Sequence, residues 1–133
     1  MGNIEQLKKE YYDILKNKKE LSEAKIKELK AAENNDEANL EKIRLNIIDI
    51  FTTLFNTSCK KSCSIKGVSE EECYKKLGDV YLEFFNKIPA PWKEKYTEAK
   101  KRELVLEYVI EELKINTAEE IKQCFIKVYN KYK

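Results

Sequence analysis

Histidine is absent from this sequence of 133 residues, and glycine and proline are scarce, with three and two copies. Histidine carries much acid and base catalysis near neutral pH and is a frequent zinc ligand. Its absence therefore removes the commonest catalytic and metal-binding patterns. The shortage of glycine and proline also argues against a β-sandwich, because such folds need many tight turns. Long amphipathic helices fit this composition better.

Neither sign of charge is in clear excess, since 26 Lys and Arg face 24 Asp and Glu. The summed field of the protein is therefore weak. This balance argues against a chain whose whole surface is built to bind nucleic acid or anionic membranes. Any electrostatic binding must depend on local patches.

Long apolar runs are missing as well. The stretch MGNIEQLKKEYY has no continuous apolar core, so we expect no secretory leader. The run IIDIFTTLF, which starts at Ile47, is shorter than the roughly 20 residues that a membrane-spanning helix needs. We expect a cytoplasmic protein with no membrane partner.

Apolar residues recur at intervals of three and four along most of the chain, which predicts amphipathic helices. We expect an all-α, single-domain bundle of about five helices over residues 1–133. An N-terminal antiparallel helical hairpin is predicted within 1–57, and three further helices within 69–133. The stripe that contains Phe51 and Phe55 is dense enough to be the central core element.

Capping signals set the predicted helix boundaries. The second helix is expected over about 37–57. Ser69 and Thr117, each followed three residues later by glutamate, match the capping box and predict the starts of the third and fifth helices. Pro91 suits the first turn of a fourth helix that is predicted to run to about Lys114.

Four cysteines carry the strongest hint of chemistry: Cys59, Cys63, Cys73 and Cys124. Their spacing gives one close pair, whereas a structural zinc site usually gathers two. We therefore predict no metal and favour reduced thiols, with one or two disulfides as the alternative. Cys59 and Cys63 flank Lys60 and Lys61, and the stretch continues to Lys66. Nearby ammonium groups favour the thiolate, so these two cysteines are the candidates for reactive thiols.

A basic and aromatic patch is predicted at the start of the fourth helix. Its members are Trp92, Tyr96, Lys100, Lys101 and Arg102. Aromatic side chains and arginine are enriched where proteins bind one another, so this patch is the candidate partner-binding site. The alternative is that Trp92 and Tyr96 only anchor the helix in the core.

Two further patterns have both a structural and a functional reading. The C-terminal run KQCFIKVYNKYK combines lysines with aromatics, as single-stranded nucleic-acid binders do, but helical geometry places its aromatics on one apolar stripe. Glu103, Glu107 and Glu111 stand four residues apart, and we interpret them as a solvated helix face because dimetal bundles also use histidine.

We therefore predict a non-enzymatic protein-interaction module, of the small inhibitor, immunity or adaptor type, which binds a protein partner through helix faces and needs no cofactor. Two alternatives stay open. One is nucleic-acid binding through local basic and aromatic patches, and the other is cysteine-based metal binding or redox sensing. The narrow apolar seam of the first helix also suggests self-association.

Overall fold

A computed structural model describes residues 3–63 and 67–133 of the chain. In chain order its helices are α1 Asn3–Ala31, α2 Asn35–Cys63, α3 Glu70–Lys87, α4 Ala90–Lys101 and α5 Val105–Tyr132. No strand occurs within these described ranges. The predicted all-α bundle with its N-terminal helical hairpin is confirmed. Only Ile88 and Pro89 separate α3 from α4, so the two helices follow one another as one interrupted rod.

The helices do not share contacts equally. α2 packs against α1, α3 and α5, which makes it the central helix that its dense apolar stripe predicted. α4 differs, because its main contacts are with α5 and Ala99 is its one buried residue. The bundle therefore has a well-packed body and a lightly attached helix at one end.

Aromatic rings fill the centre of the body. Tyr11, Phe55, Tyr81 and Phe125 come from α1, α2, α3 and α5, and all four are fully buried. The ring centroids of Tyr11 and Phe55 lie 4.7 Å apart, as do those of Tyr81 and Phe125, and both pairs meet edge to face. This geometry is favourable for aromatic rings and adds to the energy of burial.

Two tyrosine hydroxyls are buried in this aromatic centre and satisfy one another. The hydroxyl oxygens of Tyr11 and Tyr81 are 2.6 Å apart, and the Tyr81 hydroxyl also donates to the backbone carbonyl of Phe51 at 3.1 Å. Burial raises the pKa of both phenols above its usual value. Both therefore stay neutral, and neither hydroxyl is left without a partner.

Both helical hairpins turn with the same backbone motif. Glu33 and Glu103 have φ angles of 58° and 57°, in the left-handed region. In each turn the next amide, that of Asn34 or Leu104, donates to a carbonyl five residues back. These are Schellman motifs, in which glycine usually fills the left-handed position. Because Glu103 takes the place of glycine between α4 and α5, the sequence did not predict this turn.

Three predicted boundaries are wrong. The second helix was expected to end at about residue 57, but α2 continues to Cys63. The fourth helix was expected to continue to about Lys114, but α4 ends at Lys101 and α5 begins at Val105. Thr117 was expected to cap a fifth helix, but it lies inside α5, where its hydroxyl donates to the carbonyl of Leu113 at 2.7 Å. The start of the third helix predicted at Ser69 is confirmed, because the Ser69 hydroxyl caps α3 by accepting from the Glu72 amide at 3.2 Å.

The far part of the α1–α2 hairpin packs through a narrow seam. Ser22 and Ile26 are buried there, whereas Leu21 is 72% exposed. The Ser22 hydroxyl donates to the buried carboxylate of Glu41 at 2.6 Å. Arg44 also approaches that carboxylate, at 3.8 Å, and so helps to balance its charge. This part of the hairpin is held by polar contacts more than by a broad apolar face.

Candidate functional site

The predicted partner-binding residues lie together on α4, but they do not share one environment. Lys101 is exposed and forms no ion pair with any of the described residues. Arg102 pairs with Glu98 at 3.0 Å, on the surface. Trp92 is half-buried and packs against the core, and the Lys114 ammonium lies 5.8 Å from its ring centroid. Trp92 therefore anchors α4, as the structural alternative expected.

Two tyrosines hold one lysine at the α4–α5 interface. The rings of Tyr96 and Tyr108 meet edge to face with centroids 6.3 Å apart. The Lys100 ammonium lies 5.7 Å from the first centroid and 5.0 Å from the second. A cation over aromatic faces is attracted by the ring quadrupole. Tyr96 and Lys100 thus help to attach α4 to α5 while remaining near the surface.

Apolar side chains next to this basic segment are exposed, although nothing in the sequence pattern predicted it. Leu104, Val105, Leu106 and Val109 are 39%, 59%, 69% and 37% exposed. The single long helix that was predicted ran straight through them, so nothing indicated that they begin a new helix. Together with the basic residues before them they form what we call the tip surface: Lys100, Lys101, Arg102, Leu104, Val105, Leu106 and Val109.

A cleft of about 310 Å³ lies beside the tip surface, between α4 and α5. Glu111 lines it and is buried, whereas Glu107 is exposed. The interpretation of the glutamates as a solvated face is therefore wrong for Glu111. One of its carboxylate oxygens accepts from Lys114 at 3.0 Å, and the other has no hydrogen-bond partner. A buried polar atom without a partner is costly, so Glu111 is a local weak point of the α4–α5 interface.

The cysteines adopt a different state from the one expected. Cys63 at the end of α2 forms a disulfide with Cys73 on α3, with the Cα atoms 5.5 Å apart. This bridge replaces two of the reduced thiols that the sequence favoured. Cys59 and Cys124 are free, and Cys59 is buried.

The environment of Cys59 does not favour a thiolate. Burial raises the pKa of its thiol to about 11, and the positive charge of Lys8 offsets this only in part. Cys63 has no free thiol because of its bridge to Cys73. Lys66, which belonged to the predicted basic stretch, lies outside the described residues. The reactive role of Cys59 and Cys63 stays a prediction that these features do not favour.

Metal binding and membrane insertion have no structural support in the ranges 3–63 and 67–133. No group of three or more metal-ligating side chains there converges on a point. Likewise, no helix in these ranges has the length and apolar character needed to cross a membrane. Comparisons of this chain with protein-family models, curated proteins and solved structures found no match. The candidate site must therefore be interpreted from its own residues.

Proposed function

We propose that this protein is a non-enzymatic binding module whose tip surface docks on a partner protein. The observation that carries the proposal is the exposure of Val105 and Leu106, which follow the basic segment Lys100 to Arg102 after a turn of two residues. Exposed apolar side chains that lie next to one another commonly mark interaction sites. The complete absence of histidine from the sequence supports a role without catalysis.

The chemistry of the tip surface indicates the kind of partner. Its apolar centre would bury against apolar side chains, and the lysines beside it would favour carboxylates at the rim. An amphipathic helix with acidic flanks has this combination and uses a common docking mode. Small inhibitors, immunity proteins and adaptors would all act through such a surface, so these three roles form one physical proposal.

The test compares two leucines of nearly equal exposure. Leu106→Asp changes the tip surface, whereas Leu21→Asp places the same charge on α1, where the leucine is 72% exposed. Tagged wild type and both variants are used to capture partners from the native host, with bound proteins quantified by mass spectrometry. We expect wild type and Leu21→Asp to capture equal amounts of one partner protein. Leu106→Asp should capture at least tenfold less of the same partner.

Other outcomes would contradict the proposal. A partner retained by Leu106→Asp but lost by Leu21→Asp would assign binding to α1 instead. The same Leu21→Asp variant also tests self-association through the N-terminal helix, because a shift from dimer to monomer in light scattering would place the contact there. Circular dichroism of both variants controls for loss of fold.

Nucleic-acid binding is the second candidate, and the C-terminal helix offers it less support than the sequence did. Phe125 and Val128 are buried, and the hydroxyl of Tyr132 donates to Glu10 at 3.0 Å. Lys131 also pairs with Glu10, at 2.6 Å. These groups are occupied within the bundle. Recovery of nucleic acid instead of protein, with binding that weakens steeply as salt rises, would favour this alternative.

The expected cytoplasmic location also stays a proposal. The Cys63–Cys73 disulfide bears on it, because disulfides persist mainly in oxidising compartments. Mass spectrometry of the protein from its native host, alkylated before reduction, would measure how much of this bridge forms in the cell. A fully reduced Cys63 and Cys73 would fit the cytoplasm.

A further inference from the structure

A groove of about 780 Å³ runs along the outer side of α3 and the end of α5. Tyr74, Gly78 and Asp79 line it from α3, and Tyr129 and Tyr132 line it from α5. The groove lies far from the tip surface, because Val105 and Tyr129 are separated by about 36 Å along α5 at 1.5 Å per residue. Its volume falls in the range of ordinary ligand sites.

The shape of the groove depends on a glycine inside a helix. A Cβ atom at Gly78 would stand 2.7 to 2.9 Å from three atoms of the Tyr129 ring and its hydroxyl, so only glycine lets this ring lie against α3. The ring centroids of Tyr74 and Tyr129 are 4.7 Å apart, and the Tyr74 hydroxyl donates to the Tyr129 carbonyl. Glycine in a helix interior is unfavourable relative to alanine, so its presence here needs such a packing reason.

Carboxylates border the tyrosines of the groove. Glu71 and Asp79 line it, are exposed, and form no ion pair within the described residues. Burial raises the pKa of Tyr129, and the negative charge of Asp79 adds to this effect. Glu70 also lines the groove, and one of its oxygens accepts from the Ile4 amide at 3.3 Å.

We propose that this groove binds an arginine-bearing segment of a partner protein, with one guanidinium stacked on the Tyr129 ring and paired with the Asp79 carboxylate. Arginine fits both features, because its planar group stacks on aromatic rings and donates two parallel hydrogen bonds to a carboxylate. The site goes beyond the tip surface and does not depend on it. Lys75 and Lys133 also line the groove, but the carboxylates outnumber them.

Two observations from the same molecule support a foreign cation as the occupant. Its tyrosines already attract cations elsewhere, since the Lys100 ammonium lies 5.0 Å from the Tyr108 ring centroid. The chain's two arginines, Arg44 and Arg102, are both paired with glutamates of the same chain. A second copy of the protein therefore offers only arginines that already have an ion-pair partner, whereas a different protein can offer an unpaired one.

Binding is tested with three short fluorescein-labelled peptides followed by fluorescence anisotropy. The first alternates arginine with leucine, the second has citrulline in place of arginine, and the third has lysine. Citrulline keeps the shape of arginine but is neutral. We expect the arginine peptide to bind at least tenfold more tightly than the citrulline peptide, and more tightly than the lysine peptide, because lysine lacks the planar fork. Equal affinities for arginine and citrulline, or no binding of the arginine peptide, would overturn the proposal.

Variants locate the binding on the protein. Asp79→Asn removes one charge from the groove at constant shape, and we expect about tenfold weaker binding of the arginine peptide. Glu72→Gln is the matched control, because Glu72 is exposed on the same helix but does not line the groove, and it should leave the affinity unchanged. Gly78→Ala should also weaken binding, because the added methyl group displaces the Tyr129 ring.

The remaining outcomes separate this proposal from its competitors. Leu106→Asp should leave the affinity for the arginine peptide unchanged. The proposal for the tip surface and the proposal for the groove can therefore fail independently. Equal loss of affinity in Asp79→Asn and Glu72→Gln would indicate nonspecific attraction to the acidic side chains of α3. It would overturn the proposal that the groove is the binding site. Self-association that Asp79→Asn abolishes would assign the groove to a second copy and would also overturn it.

Discussion

The body of the bundle and the α4–α5 end are built from similar helices but are held together differently. In the body, Tyr11, Phe55, Tyr81 and Phe125 are fully buried and contact one another, and a disulfide ties α2 to α3. At the α4–α5 end, the one buried residue of α4 is Ala99, and the contact with α5 includes the partly exposed rings of Tyr96 and Tyr108 with the Lys100 ammonium over both. Regions of low local stability are often those that bind or move. The comparison therefore separates what maintains the fold from what is available for binding.

The largest expected difference concerns side chains of similar type in the two regions. Phe55→Ala should lower the free energy of unfolding by about 3–5 kcal/mol, because it leaves a cavity among the buried rings of Tyr11, Tyr81 and Phe125. Leu106→Ala should change it by less than about 0.5 kcal/mol, because the side chain is already exposed. Urea denaturation measures both. Similar losses in the two variants would show that the regions are equally important for stability.

The disulfide provides the second way to separate the regions. Its two cysteines stand ten residues apart, and opening a loop of this size should cost about 2–3 kcal/mol. Urea denaturation with and without a phosphine reductant measures the loss, and a Cys63→Ser variant should no longer respond to the reductant. Hydrogen exchange adds the spatial test, because α2 and α3 should lose protection while α4 keeps its own. Loss of protection confined to α4 would contradict the expectation that the disulfide stabilises the body of the bundle.

Alkaline pH should weaken the body through Cys59, by a smaller amount. Folding raises the pKa of this thiol from 9.0 to about 11, so the folded state keeps a proton that the unfolded chain loses first. Its contribution is complete below pH 9 and disappears as the pH rises towards 11, with a loss on the order of 1 kcal/mol at pH 10. Denaturation of wild type and Cys59→Ala at pH 8 and pH 10 checks this. The pH dependence should be smaller in the variant, and an unchanged slope would assign it to other groups.

The smallest expected effect lies in the turn between α4 and α5. Glu103 occupies a left-handed conformation that favours glycine, with φ at 57°. Glu103→Gly should raise the free energy of unfolding by about 0.5 kcal/mol, because the gain from relieved strain exceeds the entropy that glycine adds to the unfolded chain. Thermal unfolding measures the change, with Glu107→Gly inside α5 as the control that should destabilise. A loss of stability in both variants would show that the strain at Glu103 is negligible.

Periodicity predicted the body well because burial dictates it. Phe51 and Phe55 stood on the dense stripe of the second predicted helix, and both are fully buried in α2. The same reasoning misplaced the second hairpin turn. Glutamate in the left-handed position gives no glycine signal at Glu103, and Thr117 matches a capping pattern although its hydroxyl bonds within a continuous helix.

The candidate binding residues were predictable only in part, for a related reason. The basic side chains Lys100, Lys101 and Arg102 are visible in the sequence because charges cluster there. The exposure of Val105 and Leu106 is not visible, because it depends on which helices cover α5 at that point. The groove at Tyr129 was missed because it requires a specific contact with Gly78 across two helices.

The hydrogen bonds of the Tyr11 and Tyr81 hydroxyls fix the axial positions of α1, α2 and α3 relative to one another. Sliding α1 by one turn, about 5.4 Å, would separate the two oxygens that now lie 2.6 Å apart and would leave the buried Tyr11 hydroxyl without a partner. Sliding α3 by the same distance would also break the hydrogen bond from Tyr81 to the Phe51 carbonyl on α2. Apolar rings alone would tolerate such a shift more readily. Any redesign that grafts new loops or recognition helices onto this scaffold can therefore rely on a fixed axial position of α1, α2 and α3, provided that these two tyrosines are kept.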